Sequence, residues 1–217
     1  MGIKRTSDDR DNITELDVRN RLSSLSFELK IEYLENLLKR LVLPNDVKYT
    51  ASKLLTDLYL QKGWITSAAR AMERAAEAVN TFNERKEIFM NVGMLYIKAL
   101  EPVFAGDAFK KAIDAASPGE RAQLQRKIRE LWMSEAEALE RANKRPKAIE
   151  IYEKMFRSTT DSYEQDAILK KLGPLYEKLG RIKDAIGIRE SLKKRAEERD
   201  RPKPVKEQTV NDILADL

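Results

Sequence analysis

Apolar side chains along most of this chain recur every three or four residues, which is the spacing of amphipathic helices. The clearest stretch has Leu55, Thr56 and Tyr59, then Gly63, and then Ala68, Met72 and Ala75. Gly63 interrupts the pattern at the point where one helix would end and another begin. Small residues such as Ala68 and Ala75 allow a second helix to approach the first closely. The pattern therefore predicts a helix hairpin.

The same order of residues returns three times. The second copy has Val92, Gly93, Tyr96, Ala105, Phe109 and Ala112. The fourth copy has Leu172, Gly173, Tyr176, Gly180, Ala185, Arg189 and Leu192. The third copy is less regular, with Trp132, Ala136, Leu139, Ala148, Tyr152 and Met155. Its Glu135 stands where the other copies have Leu or Val, so either this carboxylate escapes the core or the register there is wrong. The small residues Thr56, Gly93, Ala136 and Gly173 are 37, 43 and 37 residues apart.

These offsets resemble the tetratricopeptide repeat, which has Trp-x-x-Leu-Gly-x-x-Tyr, then Ala-x-x-x-Phe and Pro, over about 34 residues. The best matches are Gly93, Tyr96, Ala105, Phe109 and Ala112, followed by Leu172, Gly173, Tyr176 and Ala185. The resemblance covers roughly residues 48–196, with a longer pitch than the family has. It implies an all-α protein, a right-handed superhelix (α-solenoid) of antiparallel helix hairpins, that binds a protein or peptide partner.

The residues that interrupt the helical pattern predict the domain boundaries. We expect a disordered tail over 1–14 and one helical repeat domain over 15–196, with a capping hairpin at 15–44 and repeats at 45–82, 83–118, 119–160 and 161–196. A linker over 197–208 and a short amphipathic helix over 209–217 follow. Pro174 falls inside the first helix of the last repeat, where it predicts either a kink or a new helix that begins there.

The last segment carries one apolar stripe, made of Val210, Ile213, Leu214 and Leu217. So short a helix is marginal in water, because isolated helices need about 12 to 15 residues. We therefore expect the stripe to be ordered only when docked. The favoured interpretation is a hook for a partner's groove, and the alternatives are an autoinhibitory peptide or a tail without function.

The chain contains neither Cys nor His. Disulfides, thiolate metal sites and cysteine nucleophiles are thereby excluded, and the commonest general acid/base and metal ligand is missing. No glycine-rich phosphate-binding loop is visible either. We predict that the protein is not an enzyme, with no catalytic residue, no cofactor and no metal.

The resemblance also implies a binding groove, because the first helix of each repeat lines the inner surface in this family. The corresponding residues are Lys53, Asp57, Met90, Met94, Ile97, Met133, Glu137, Lys170 and Glu177. The methionines would give the groove an adaptable apolar centre for a helix or an extended peptide. The alternative is that they belong to the core. Asp57 replaces the Asn that a carboxylate-binding branch of the family pairs with Lys, and an acid there repels carboxylates.

The distribution of charged residues allows a second function besides peptide binding. The 41 Lys and Arg residues are interleaved with 36 Asp and Glu residues, as is typical of solvated helix faces. The alternative is a basic accessory factor that binds RNA or the ribosome, which would require the cations of the second and third repeats to gather on one convex face. These cations are Lys110, Lys111, Arg126, Lys127, Arg129, Lys144, Arg145 and Lys147.

No segment approaches the roughly 20 apolar residues of a membrane helix, and the N-terminus does not read as a signal peptide. We therefore expect a cytoplasmic protein without membrane contact. The polar end of the last repeat favours a monomer, and a homodimer through the N-terminal hairpin stays open.

Overall fold

The computed structural model describes residues 13–200, and every regular element in that range is an α-helix. In chain order the helices are α1 (Glu15–Ser23), α2 (Phe27–Leu38), α3 (Asn45–Gln61), α4 (Ile65–Ala78), α5 (Phe82–Lys98), α6 (Pro102–Ala115), α7 (Pro118–Arg141), α8 (Arg145–Ser158), α9 (Ser162–Lys178) and α10 (Ile182–Asp200). The predicted all-α fold class is confirmed. Residues 1–12 of the expected tail and the whole stripe Val210, Ile213, Leu214 and Leu217 lie outside the described residues.

Four antiparallel helix hairpins follow the two short N-terminal helices. In the second hairpin the ring of Tyr96 meets that of Phe104 at 5.4 Å, and nearer the start of α5 the Lys111 amine lies 5.2 Å from the ring of Phe89. Residue numbers thus rise along α5 as they fall along α6. The first helices α3, α5 and α9 have 17 residues each, whereas α7 has 24. The extra length of α7 accounts for the longer spacing between the second and third repeats.

All four hairpins turn through the same backbone motif. The turn residues Gly63, Leu100, Asn143 and Gly180 have φ values of 75°, 61°, 59° and 74°. In each turn the next residue donates its backbone N–H to the carbonyl five residues before it, as Glu101 does to Tyr96 at 2.9 Å. This arrangement is the Schellman motif, in which a left-handed residue ends the helix. Because Asn143 occupies the same place as Gly63, the register proposed for the third repeat is the one that the structure has.

The contacts divide the chain into two compact units, with the break between Ser158 and Thr159. In the first unit, α1 and α2 pack against α3. The apolar core at this end comprises Val18, Leu22, Ile31, Leu34, Leu37, Val47, Ala51, Leu55, Tyr59, Ala68 and Ala71. Most of these residues face inward at helical spacing, so burial of one stripe per helix organises the hairpins.

Helix α4 is unusual in its apolar face, which consists of small side chains. Its buried residues are Ala68, Ala69, Ala71, Ala75, Ala76 and Ala78. Both α3 and α5 pack on this helix. Alanine side chains keep the three helices close together, because the distance between helix axes depends on side-chain size at the contact.

A buried cation joins the second and third hairpins. Lys86 of α5 is only 7% exposed, and its amine lies 2.9 Å from a carboxylate oxygen of Glu120 at the start of α7. Glu120 also accepts the Ser117 hydroxyl and backbone N–H, which completes a capping box. The Lys86 hydrogen bond, followed by those from Ser117, lowers the pKa of Glu120 to about 2. A buried charge of this kind holds its partner helix in place because it cannot be left unpaired.

The second unit contains the hairpin of α9 and α10. Asp166 of α9 is 6% exposed and accepts hydrogen bonds from Arg195, at 3.3 Å, and from Arg199 of α10. Helix α9 continues through Pro174, so the expected alternative of a new helix beginning there is wrong. A proline inside a helix removes one backbone hydrogen bond, but neighbouring turns and packing can hold the helix together. Helix α10 extends to Asp200, so residues 197–200 are helical rather than part of a linker.

Candidate functional site

The predicted groove residues of the first unit differ in exposure. Lys53 and Asp57 are exposed on α3. Met90 and Ile97 of α5 are each only 4% exposed, so these two residues belong to the core and not to a binding surface. They were assigned to the groove because the helix face that lines it also borders the core, and sequence spacing alone does not separate adjacent positions on that face.

Three other predicted residues keep part of their surface accessible. Met94 of α5, together with Met133 and Glu137 of α7, is half-buried. Helices α5 and α7 are in contact, and Ile97 and Trp132 line one small crevice between them. Met94 and Met133 are near neighbours of these two residues in sequence. The two methionines thus belong to first helices that contact each other.

The remaining predicted groove residues belong to α9. Lys170 is exposed, and Glu177 is half-buried and hydrogen-bonded to Arg189 of α10. An ion pair within the hairpin gives Glu177 a structural role there, since a paired carboxylate orients both helices.

A groove that the sequence did not predict lies between α4 and α6, the second helices of two successive hairpins, with α5 beneath it. It is an open groove of about 610 Å³. Its lining residues are Arg70, Glu73, Tyr96, Phe104, Asp107, Lys110, Lys111 and Asp114. Two aromatic rings thus lie among six charged side chains, so a ligand in this groove would be held mainly by polar contacts.

A hydrogen-bond network fixes one side of this α4–α6 groove. Glu73 accepts the Tyr96 hydroxyl at 3.3 Å and the Lys111 amine at 2.5 Å. Burial raises the pKa of the Tyr96 hydroxyl, and the negative charge of Glu73 adds to the effect. Tyr96 therefore stays protonated at neutral pH and acts as a hydrogen-bond donor that holds Glu73 against the groove wall.

The other side carries charges at helical spacing along α6. Asp107, Lys110, Lys111 and Asp114 follow one another at i, i+3, i+4 and i+7, so they share one face. Sequence reasoning considered the two lysines only as contacts for RNA. The alternation of charge on this face, together with the nearby Tyr96, was the signal that could have identified the groove.

The cations on which RNA binding would depend are distributed over α6, α7, α8 and the turn between α7 and α8. Arg126 and Lys127 lie in the first half of α7, whereas Lys144 and Arg145 follow its end. At 1.5 Å per residue, the stretch from Lys127 to the end of α7 is about 20 Å long. Lys111 is paired with Glu73 and Lys147 with Glu150. Part of the positive charge on which RNA binding would depend is therefore already paired with carboxylates.

Two further findings apply to residues 13–200 only. No helix in this range combines the length and apolar character needed to cross a bilayer. The same range holds no cluster of three or more carboxylates that could bind a metal ion.

Comparisons with known proteins show a distant structural likeness. No model of a protein family matches this sequence, and no curated protein matches it. A crystal structure of MamA is similar to the chain, with 17% sequence identity and a TM-score of 0.34. The match covers 87% of this chain and 98% of that one. A likeness at this level carries no argument about function.

Proposed function

We propose that this protein is a non-enzymatic adaptor that binds a peptide or helix of another protein in a groove of its helix hairpins. The observation that most supports this function is the α4–α6 groove, where Tyr96 and Phe104 lie among charged side chains. Phe104 is 46% exposed although it is aromatic. Exposed aromatic residues in a concave surface are the usual anchors of protein interfaces.

The half-buried methionines provide a second surface for the same function. Met94 and Met133 are flexible apolar side chains, which adapt to partners of different shape. Lys53, Asp57 and Glu137 would border this surface. In the second unit, Lys170 and Glu177 of α9 are proposed as partner contacts by themselves. Met90 and Ile97 would support it from below as core residues.

Glutamate substitutions test which surface binds. A tagged full-length chain would be used to isolate partners from lysate with and without nuclease. We expect a nuclease-resistant partner that is lost with Phe104→Glu, or with Met94→Glu and Met133→Glu, while helicity stays unchanged. Phe82→Glu is the matched control, because Phe82 is 70% exposed and lies outside both surfaces. A partner that disappears after nuclease treatment would instead support the RNA alternative.

Thermal unfolding of the same variants separates a lost contact from a damaged core. If Met94→Glu or Met133→Glu lowers Tm by more than about 10 °C, that methionine is a core residue and its assignment to a binding surface is wrong.

The apolar stripe Val210, Ile213, Leu214 and Leu217 is part of the proposal as a hook for a partner's groove. Deleting residues 210–217 distinguishes the three interpretations. Loss of partner binding supports the hook, a gain supports an autoinhibitory peptide, and no change leaves the stripe without a binding role.

A further inference from the structure

We propose that one edge of the first unit recognises an acidic peptide that carries apolar anchor residues. This turn edge consists of the three hairpin turns at residues 60–64, 98–104 and 141–147. The inference rests on the proposed function and adds the chemical class of the partner. It is carried by exposed apolar side chains and by an excess of positive charge on the same edge.

The three turns are neighbours in space. Leu100 and Pro102 of the second turn line one crevice with Lys147 of the third. Phe104, which follows the second turn, lines the α4–α6 groove with Arg70, which lies two turns of helix beyond the first hairpin turn. Because the hairpins are antiparallel and successive, every turn between a first and a second helix lies at the same edge. The groove therefore opens toward the turn edge at Phe104.

Large apolar side chains are exposed on the turn edge. The exposed fractions are 41% for Leu60, 49% for Trp64, 59% for Val103 and 46% for Phe104. Single exposed apolar residues are common, but four of them on adjacent turns form a patch. Tryptophan and phenylalanine in such a patch can anchor the apolar residues of a partner.

The turn edge is also strongly basic. Its three turns contain six cations, Lys62, Lys98, Arg141, Lys144, Arg145 and Lys147, and one carboxylate, Glu101. Two of these cations are paired with carboxylates of neighbouring helices, Lys62 with Glu28 and Lys147 with Glu150. Cations near the ends of α3, α5 and α7 complement the helix dipoles, which accounts for part of this excess. Within residues 13–200, however, no ion pair engages Lys98, Arg141, Lys144 or Arg145. These four charges remain available to attract a carboxylate-rich partner.

The aromatic contacts favour a peptide over a nucleic acid. The centre of the Trp64 ring lies 5.9 Å from that of the Tyr59 ring and 5.2 Å from the Lys62 amine. Phe104 packs against Tyr96. Nucleobases bind by stacking on free ring faces, and these contacts reduce the free area. The aliphatic Leu60 and Val103 offer no face for stacking at all, whereas they suit the apolar anchors of a peptide.

Tryptophan fluorescence gives a direct test, because the chain has 2 Trp residues and Trp132 is only 6% exposed. The probes are a 12-residue peptide of alternating Glu and Leu or Phe, its twin with Lys in place of Glu, and an oligouridylate. We expect the acidic peptide to change the emission of Trp64 and to bind at least about tenfold more tightly than the Lys twin.

Charge reversal locates the site. The double variant Lys144→Glu and Arg145→Glu should bind the acidic peptide about tenfold or more weakly than the unaltered chain does. The matched control is Lys39→Glu combined with Arg40→Glu, which makes the same change of charge on exposed residues between α2 and α3, outside the turn edge. This control should bind as the unaltered chain does, and circular dichroism would confirm that both variants fold.

Several results would overturn the inference. These are equal binding of the two peptides, no binding of either, an equal loss in the control pair, or tighter binding of the oligouridylate. None of them affects the partner experiment with Phe104→Glu, which tests the adaptor function without assuming an acidic partner. Conversely, loss of the adaptor function would appear in that experiment even if the acidic peptide binds.

Discussion

At Gly93 the second hairpin has no room for any side chain. A Cβ atom there would overlap the ring of Phe109. Phe109 is 2% exposed, and its ring packs edge-on against Trp132 at 5.7 Å, so it cannot move aside freely. Hence the small residue of the repeat pattern is needed for close approach of the two helices.

We predict that Gly93→Ala destabilises the protein by about 1–2 kcal/mol, because the overlap outweighs the better helix propensity of alanine. Gly187→Ala is the control. Gly187 lies inside α10 with nothing within 4 Å of an added Cβ, so this change should raise stability by up to about 1 kcal/mol. Urea unfolding measures both, and a Gly93→Ala variant as stable as the unaltered chain would contradict the packing argument.

Two buried tyrosine hydroxyls should make the folded protein less stable at alkaline pH. Burial, then the hydrogen bond to Glu35, raises the pKa of Tyr59 to about 12. Burial and Glu140, which accepts the Tyr152 hydroxyl at 2.5 Å, raise the pKa of Tyr152 also. In the unfolded chain both ionise near pH 10. The stabilisation is therefore fully present below about pH 10 and is lost as the pH rises toward 12.

Unfolding at pH 8, 10 and 11.5 measures this loss. We expect Tyr59→Phe to reduce the dependence on pH above 10, since the variant no longer has a proton to lose at that site. Tyr163→Phe, which removes an exposed hydroxyl, is the matched control. An unchanged pH profile for Tyr59→Phe would show that this hydroxyl is not the source.

Residue roles could be predicted where close packing limits the size of the side chain. The small residues and the tyrosines of the repeat pattern are buried, as the pattern predicts. Small side chains allow the two helices of a hairpin to approach each other closely. Leu100 and Asn143 were not recognised as left-handed turn residues, since most such positions carry glycine and neither residue type signals that conformation by itself.

At the scale of the elements, the turn at Leu100 carries backbone strain. A residue with a side chain loses about 1–2 kcal/mol in the left-handed conformation, and glycine does not. We predict that Leu100→Gly is more stable than Leu100→Ala by about 1 kcal/mol, although both lose the same packing. At Lys110, exposed within α6, the order should be reversed, because alanine is the better helix former. Thermal unfolding of the four variants measures these differences. If the alanine variant is the more stable one at both sites, the turn at Leu100 carries no backbone strain.

Pro174 weakens α9 because it removes a backbone hydrogen bond from the helix. It has no N–H, so the carbonyl of Lys170 lacks its helical partner. Pro174→Ala should therefore stabilise the protein by about 1–2 kcal/mol, after allowance for the greater freedom of the unfolded chain. Pro118→Ala should give no gain, because Pro118 begins α7, where proline is well tolerated. Equal effects of the two changes on Tm would show that the position within the helix does not matter.

Periodicity identified the helices of the repeats but not their lengths. The hairpin pattern gave the positions of both helices in each repeat, because one apolar stripe per helix must be buried. The additional length of α7 could not be seen, since its first half carries few apolar residues. Glu135 illustrates the same limit: it is half-buried while Ala136 beside it is fully buried, so the carboxylate escapes the core without a change of register.

At the scale of the whole molecule, the sequence predicted one continuous repeat domain, whereas the contacts give two compact units. Nothing in the composition marks this division, because the segment between Ser158 and Ser162 looks like any other connection between repeats. The candidate site was also only partly predictable. Met94 and Met133 are half-buried, whereas Met90 and Ile97 are buried. The α4–α6 groove depends on how successive second helices are spaced, which a pattern within one repeat does not contain.

The buried alanines of α4 imply an uneven tolerance to mutation along the chain. Any larger side chain at these six positions must separate α4 from its neighbours, at a cost of about 1–3 kcal/mol each. Helix α10 has one buried residue, Ala185, so most of its 19 positions can change with little effect. In a saturation library selected for folded protein, α4 should therefore retain the fewest variants and α10 among the most. Over generations, the sequence of α4 would drift slowly while that of α10 became almost unrecognisable.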